Sequence, residues 1–185
     1  MWWLGGCLVL FCVFCTLACC RMASEEDQRM EIIEERIIET PSNSTPVPSE
    51  CWTRYDVPLD DDVQKYICEQ CRQYGVPASV VLAVIERESD FDPELVGDNG
   101  NSWGLMQIYN KQHIKRCVDL GSWNLLDPKQ NVRVGINYLS ELLACGHGME
   151  WALSWYNGHG GEPCQYATDV LKRPEEICKT AEVVC

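Results

Sequence analysis

In the stretch VVLAVIERESDFDP, residues 80–93, apolar positions recur with the period of a helix and then give way to charge. Successive helix residues turn by about 100°, so Val81, Val84, Ile85 and Glu88 fall on one stripe, and Glu86 points about 200° away from Glu88. The pattern predicts a helix, opened by Pro77 at a position proline tolerates, whose apolar face ends in one carboxyl. Upstream, PLDDDVQKYICEQCRQYG (58–75) places acids near a helix start and Gly75 at its stop. Downstream, LDPKQNVRVGINYLSELLACG (126–146) sets Val132, Ile136, Leu139 and Leu143 on one face, opened by Asp127-Pro128 and ending near Gly146. GMEWALSWYNG (148–158) predicts a short helix, and QYATDVLKRPEEI (165–177) a last one. Between the Glu88 helix and the next lies GDNGNSWGLMQI (97–108), whose glycines and asparagines suit a tight turn or a small β-hairpin. The expected fold class is α+β, predominantly α: a helical domain with a small irregular or β-hairpin insertion beside Glu88, and no large sheet.

The pattern is different before residue 51. The first twenty residues, MWWLGGCLVLFCVFCTLACC, carry no charged side chain. As a helix, residues 2–20 are about 28 Å long, close to the hydrocarbon thickness of a bilayer. An uncleaved membrane anchor over residues 1–23 is the favoured reading. The alternative is a signal peptide, although the basic region that normally opens one is missing; Thr16-Leu17-Ala18 before Cys19 offers a cleavage site, and Cys19 a lipidation site. Residues 24–50 follow as an acidic stem, SEEDQRMEIIEERIIE, and a Pro/Ser/Thr linker, TPSNSTPVPSE, of extended character. The compact domain is expected over residues 51–185.

Charge and cysteine content narrow the function. The net charge is −13, and acids exceed bases on both sides of residue 50, which argues against nucleic acid or an anionic surface as partner. Eight of the 13 cysteines follow residue 50: Cys51, Cys68, Cys71, Cys117, Cys145, Cys164, Cys178 and Cys185. An even set behind an apolar segment suggests disulfides and an oxidising exterior. Cys68 and Cys71 form a CxxC, but no thioredoxin-like β-α-β context surrounds it, and His113, His147 and His159 are too isolated to complete a zinc site. Structural disulfides or buried thiols are the expectation, with no metal and no organic cofactor.

Five motifs then combine. Glu88-Ser89 with FDP at 91–93 is the first, and GLMQI at 104–108, LDPKQNVRVGINYL at 126–139, WYNG at 155–158 and YATDVL at 166–171 are the other four. In this order and at this spacing, residues 80–172 resemble the catalytic domain of the soluble lytic transglycosylases, bacterial enzymes with a goose-lysozyme-like fold. The resemblance implies a lysozyme-like helical domain that cleaves the MurNAc–GlcNAc β-1,4 bond of peptidoglycan and leaves 1,6-anhydro-MurNAc ends. It assigns Glu88 as general acid and then base. It places the hydroxyls of Ser89 and Tyr166 near that glutamate, Gly104 where backbone approaches the sugar, Met106 and Gln107 along the cleft, and Tyr156 and Asn157 on the sugar or the acid.

The residue chemistry agrees with that role for Glu88. A carboxyl on an apolar stripe is desolvated, its pKa rises, and it can donate a proton to a leaving glycosidic oxygen. Trp103 and Trp155 are candidates for stacking on pyranose faces. Hydrolytic glycosidases ordinarily use two carboxylates, and Asp98 in GDNGN occupies a place that resembles the acidic loop of goose-type lysozymes. A hydrolytic muramidase with Asp98 assisting water is therefore the alternative, with Asp90 and Asp92 as further candidates. A peptidoglycan-binding module without activity is disfavoured because the acid and the GLMQ segment are both present. The enzyme could also serve as the wall-remodelling component of a secretion, conjugation or phage-entry assembly. The expected location is the extracytoplasmic face of the cell envelope, membrane-anchored or secreted.

Overall fold

A computed structural model describes residues 51–185. The apolar segment, the acidic stem and the linker lie outside the described residues, as do the anchor, signal and lipidation readings attached to them. The described chain opens with strand β1 (Trp52–Arg54), then helices α1 (Asp61–Tyr74) and α2 (Ala78–Ser89). Three two-residue strands follow, β2 (Val96–Gly97), β3 (Ser102–Trp103) and β4 (Ile108–Tyr109). Helices α3 (Ile114–Leu120), α4 (Pro128–Leu143), α5 (Met149–Tyr156), α6 (Gln165–Lys172) and α7 (Pro174–Lys179) and strand β5 (Glu182–Val184) complete it.

The termini of these helices follow local chemistry. Gly75 closes α1 in the left-handed conformation at φ 68°, its N–H donating to Cys71 O. Pro128 opens α4, and the Asp127 side chain accepts from Gln130 N at 2.9 Å, satisfying one of the free amides of the first turn. The predicted helix over 165–177 is two helices. Pro174 cannot donate a backbone hydrogen bond, so it ends α6 at Arg173 and opens α7 in the next position. Helix α3 carries no local signal comparable to the others: it has no buried residue, and its apolar Ile114 and Val118 face outward, 63% and 49% exposed.

The core sits around α2. Every residue from Val80 to Ile85 is at most 5% exposed, so the helix is covered on all sides over two turns and becomes one-sided only where charge begins. Helices α1, α6 and α7 pack against it; α1 also packs on α4, and α4 on α5. Strands β2, β3 and β4 form an antiparallel meander with Val96 opposite Trp103 and Trp103 opposite Ile108. This is the small β insertion expected beside Glu88.

A second antiparallel pair joins β1 to β5, with Trp52 opposite Val184, and Cys51 and Cys185 are disulfide-bonded across a sequence separation of 134. The other six cysteines of the domain are thiols. Burial pushes the Cys68 and Cys71 thiols to higher pKa, which makes them inert packing groups of α1. Among the described residues no group of three His, Cys, Asp or Glu side chains could hold a metal ion, and no helix is long and apolar enough to cross a membrane.

Candidate active site

Glu88 lies in the last turn of α2, where the fully buried helix meets the surface. Its Oε1 accepts a hydrogen bond from the Tyr166 hydroxyl of α6 at 2.6 Å. Burial raises the Glu88 pKa above the ordinary carboxylate value; the Tyr166 hydrogen bond and Arg87 oppose that rise, and Asp98 adds to it. Tyr166 is itself buried, and burial followed by the negative charge of Glu88 holds its phenol well above the usual value, so it remains a proton donor in the hydrogen bond. The result is a carboxyl that resists ionisation and has one oxygen fixed in direction. Glu86, two residues earlier, points to the other side of α2 and makes a bidentate pair with Arg173, at 2.7 Å to each oxygen.

The GLMQ segment is held from three helices. The Ser89 hydroxyl, adjacent to Glu88 in sequence, donates to Leu105 O at 2.8 Å and also lies 3.1 Å from Ile85 O. It therefore ties the end of α2 to the segment and does not hydrogen-bond to Glu88. From α5, the Tyr156 hydroxyl donates to Met106 O at 2.7 Å. From α4, Asn131 accepts from Met106 N at 2.8 Å and donates to Trp103 O and Leu125 O at 2.6 and 2.8 Å. Asn131 is fully buried, and its amide donates twice and accepts once; it is not among the residues that the motifs single out. The available signal was an asparagine beside Val132, inside the apolar stripe of a helix.

Gly104 has φ 71°, and a Cβ there would collide with Leu125 O and the Asn131 amide. Its requirement for glycine thus comes from the protein side of the segment. Met106 is fully buried, its side chain lying where a Cβ on Gly135 of α4 would be, so it offers neighbours its carbonyl and not its thioether. The Gln107 side chain turns back to donate to Gly104 O and Leu95 O at 2.9 and 3.1 Å.

Asp98 lies in the turn between β2 and β3, its carboxylate accepting from the Ser102 hydroxyl. Asp92 accepts from Glu94 N at 2.8 Å, and Asp90 terminates α2 in a left-handed conformation. Trp103 donates its indole N–H to Gly100 O at 2.8 Å; Trp155 and Asn157, at the end of α5, are exposed. The non-glycine residues with left-handed backbone among the described residues are Asp90, Phe91, Asp98, Asn99 and Gln107. All fall between the end of α2 and the start of β4. Such conformations cost on the order of 1–3 kcal/mol each and persist where surrounding structure over-determines them; here the buried Phe91 ring and the pinned 103–107 backbone do so.

A protein-family model described as the transglycosylase SLT domain matches residues 65–168, more than half of the chain. The chain belongs to this family. Its SLT domain match begins within α1 and ends within α6, so it contains Glu88, the GLMQ segment, Asn131 and Tyr166, and leaves out β1, α7, β5 and the disulfide. Membrane-bound lytic murein transglycosylase C of Cronobacter sakazakii is 34% identical over 94 residues, covering 45% of this chain and 26% of that protein. Protein IpgF of Shigella flexneri is 33% identical over 113 residues, covering 55% of this chain and 73% of IpgF. An X-ray structure of an inactive mutant of lytic transglycosylase Slt from Pseudomonas aeruginosa aligns with a TM-score of 0.48 and 19% identity, over 66% of this chain and 22% of that one. The SLT chain described here thus spans about a quarter of the length of the membrane-bound lytic murein transglycosylases that it matches.

Proposed function

We propose that the protein is a peptidoglycan lytic transglycosylase in which Glu88 carries both proton transfers. The protonated carboxyl donates to the glycosidic oxygen as the bond from MurNAc C1 breaks. The C6 hydroxyl oxygen of the same MurNAc then bonds to C1, and its proton passes to the Glu88 carboxylate. A 1,6-anhydro ring closes, no water is consumed, and Glu88 returns to its protonated state. The observation that carries this reading is the Glu88 carboxyl itself, raised in pKa by burial and oriented by the Tyr166 hydroxyl. One carboxyl suffices because the substrate supplies the nucleophile. In this reading the pinned 103–107 backbone forms the floor of the sugar cleft, and Tyr156, Asn157 and Gln107 border it.

The printed name of several relatives, membrane-bound lytic murein transglycosylase C, supports a cell-envelope location. In the same reading residues 1–23 anchor or export the chain, residues 24–50 form a stalk, and residues 51–185 cut wall within reach of the membrane. Cutting in the service of an envelope-spanning assembly is compatible with this arrangement, and assembly subunits recovered with the protein from membranes would support it.

Hydrolysis is the second reading, favoured by one observation: Asp98 is close enough to raise the Glu88 pKa. Its carboxylate is occupied by Ser102 in a left-handed turn, which suits a structural role equally well. Mass spectrometry of the fragments released from peptidoglycan separates the two. Anhydro-muramic ends, lighter by one water than reducing ends, are expected. Reducing ends would overturn the transglycosylase reading and make Asp98→Asn the next variant to assay. The glycosidic bond breaks and the 1,6-anhydro bond forms with Glu88 as the acid and base and the C6 hydroxyl as the nucleophile, so chelator should leave turnover unchanged.

A further inference from the structure

A pocket of about 420 Å³ opens between α2 and α6, within the roughly 300–1,000 Å³ range of small-ligand sites. Ala83 and Val170, both buried, are its apolar part. Charge surrounds them: Glu86 and Arg87 from α2, Asp169 and Lys172 from α6, and Arg173 just beyond. Most of that charge is engaged. Glu86 gives both oxygens to Arg173, which also pairs with Glu176, and Asp169 accepts from Gln165 at 2.7 Å and from Lys172 at 3.1 Å. Arg87 is different: it is exposed, and its guanidinium makes no hydrogen bond or ion pair among the described residues. It also borders the reaction centre, because it directly precedes Glu88 in α2, while Asp169 follows Tyr166 by about one turn of α6. Four groups act on Glu88 from the elements around it. Tyr166 of α6 donates to it, Tyr156 of α5 is buried nearby, Asp98 of the β2–β3 turn adds negative charge, and Arg87 supplies the positive charge. That cation favours the carboxylate form and so works against the burial that keeps Glu88 protonated. An unpaired guanidinium beside a general acid hinders proton donation unless an anion offsets it.

We propose that Arg87 binds a carboxylate of the substrate's peptide stem at this pocket, and that stem recognition is thereby coupled to proton donation by Glu88. A guanidinium takes a carboxylate through two parallel N–H donors, and Ala83 and Val170 offer an apolar floor to the carbon chain that bears it. Glu86 and Asp169 do not compete for Arg87, since their own partners hold them. The bound carboxylate offsets the Arg87 charge, so Glu88 loses the cation that opposed its protonation and keeps its proton to higher pH while a stem is in place. Arg87 is then a specificity residue: it touches substrate away from the bond that breaks, and it makes the acid more effective on a strand whose stem it has read. The identity of the anion as a stem carboxylate rests on the transglycosylase reading; the unpaired cation beside Glu88 does not.

The test gives the full 185-residue chain two forms of one substrate: soluble peptidoglycan fragments with free stem carboxylates, and the same fragments with those carboxylates converted to primary amides. For wild type, amidation should lower kcat/KM about three- to tenfold, the range for one charge-assisted pair open to solvent. The limb of the kcat profile at which activity falls with rising pH reports the acid in the enzyme–substrate complex, and it should lie lower for the amidated fragments. Arg87→Gln should treat both forms alike, with that limb at the upper position for each. Arg87→Lys keeps the cation and should restore the difference between them. An arginine with a purely structural role would, when replaced, lower activity on both forms without moving the limb. Equal turnover of the two forms by wild type, or a preference for free carboxylates that survives in Arg87→Gln, would overturn the proposal. The transglycosylase reading fails separately, in the chemical ends of the products that wild type releases.

Discussion

Two glutamates on the last turns of α2 have opposite surroundings. Glu86 is ion-paired to Arg173 at the edge of the domain, and Glu88 is desolvated and hydrogen-bonded to a buried tyrosine. Glu88→Gln should lower kcat by about 10²–10⁴-fold, the usual worth of general acid–base catalysis, with glycan binding retained; Glu86→Gln should leave most of the activity. Stability offers an independent check on the surroundings of Glu88. Its folded pKa is raised above the ordinary value of 4.5, so the fold has the full benefit of a neutral carboxyl below that pH and loses it as pH rises through the folded value. Glu88→Gln should therefore melt higher than wild type at pH 7, with the difference vanishing near pH 4. Tyr166→Phe removes a hydrogen bond that favours the carboxylate, so the Glu88 pKa should rise further. The limb of the kcat profile at which activity falls with rising pH should move upward, together with a lower maximum.

At the scale of elements, a five-residue backbone run is fixed by side chains from three helices. Asn131 makes the largest contribution because it serves Trp103, Met106 and Leu125 at once. Asn131→Leu should destabilise the domain by about 3 kcal/mol or more, since each backbone group left unpaired costs about 1–3 kcal/mol; denaturant unfolding would read this. Gly135→Ala places a methyl against the Met106 side chain. It should cost about 1–3 kcal/mol by overpacking and lower kcat by moving the carbonyl that Tyr156 holds. The sequence was legible where a feature is local or periodic. The helix stop at Gly75, the helix start at Asp127-Pro128, the turn at 97–108 and the place of Glu88 could all be read in that way. What it hid are contacts whose partners lie far apart in the chain. Ser89 reads as a neighbour of the catalytic carboxyl, yet its hydroxyl reaches sixteen residues ahead to Leu105. Gly104 reads as a concession to substrate, yet it is crowded from behind by Asn131 and Leu125. Helix α3 escaped because its apolar residues are exposed, so no buried stripe announces it.

For the molecule as a whole, the unread feature is the junction of β1 with β5. No local pattern relates two three-residue strands at opposite ends of a domain, and eight cysteines allow many pairings. The Cys51–Cys185 bond restricts the unfolded chain through a loop of more than a hundred residues, so Cys51→Ser with Cys185→Ser should cost about 2–5 kcal/mol, read as a lower thermal midpoint that reductant no longer changes. Of the six remaining thiols of the domain, Cys145 should be alkylated in the folded state, and Cys68 and Cys71 only after unfolding, because burial shields them. The junction also bears on how such a module is inherited. Cys51 and Cys185 have their Cα atoms 4.1 Å apart, so the chain enters and leaves the domain at a single point. A unit of that shape can be spliced into a surface loop of a host protein without parting the residues on either side, and a pull on its entry strand passes through the sulfur bridge to its exit without reaching the helices that hold Glu88.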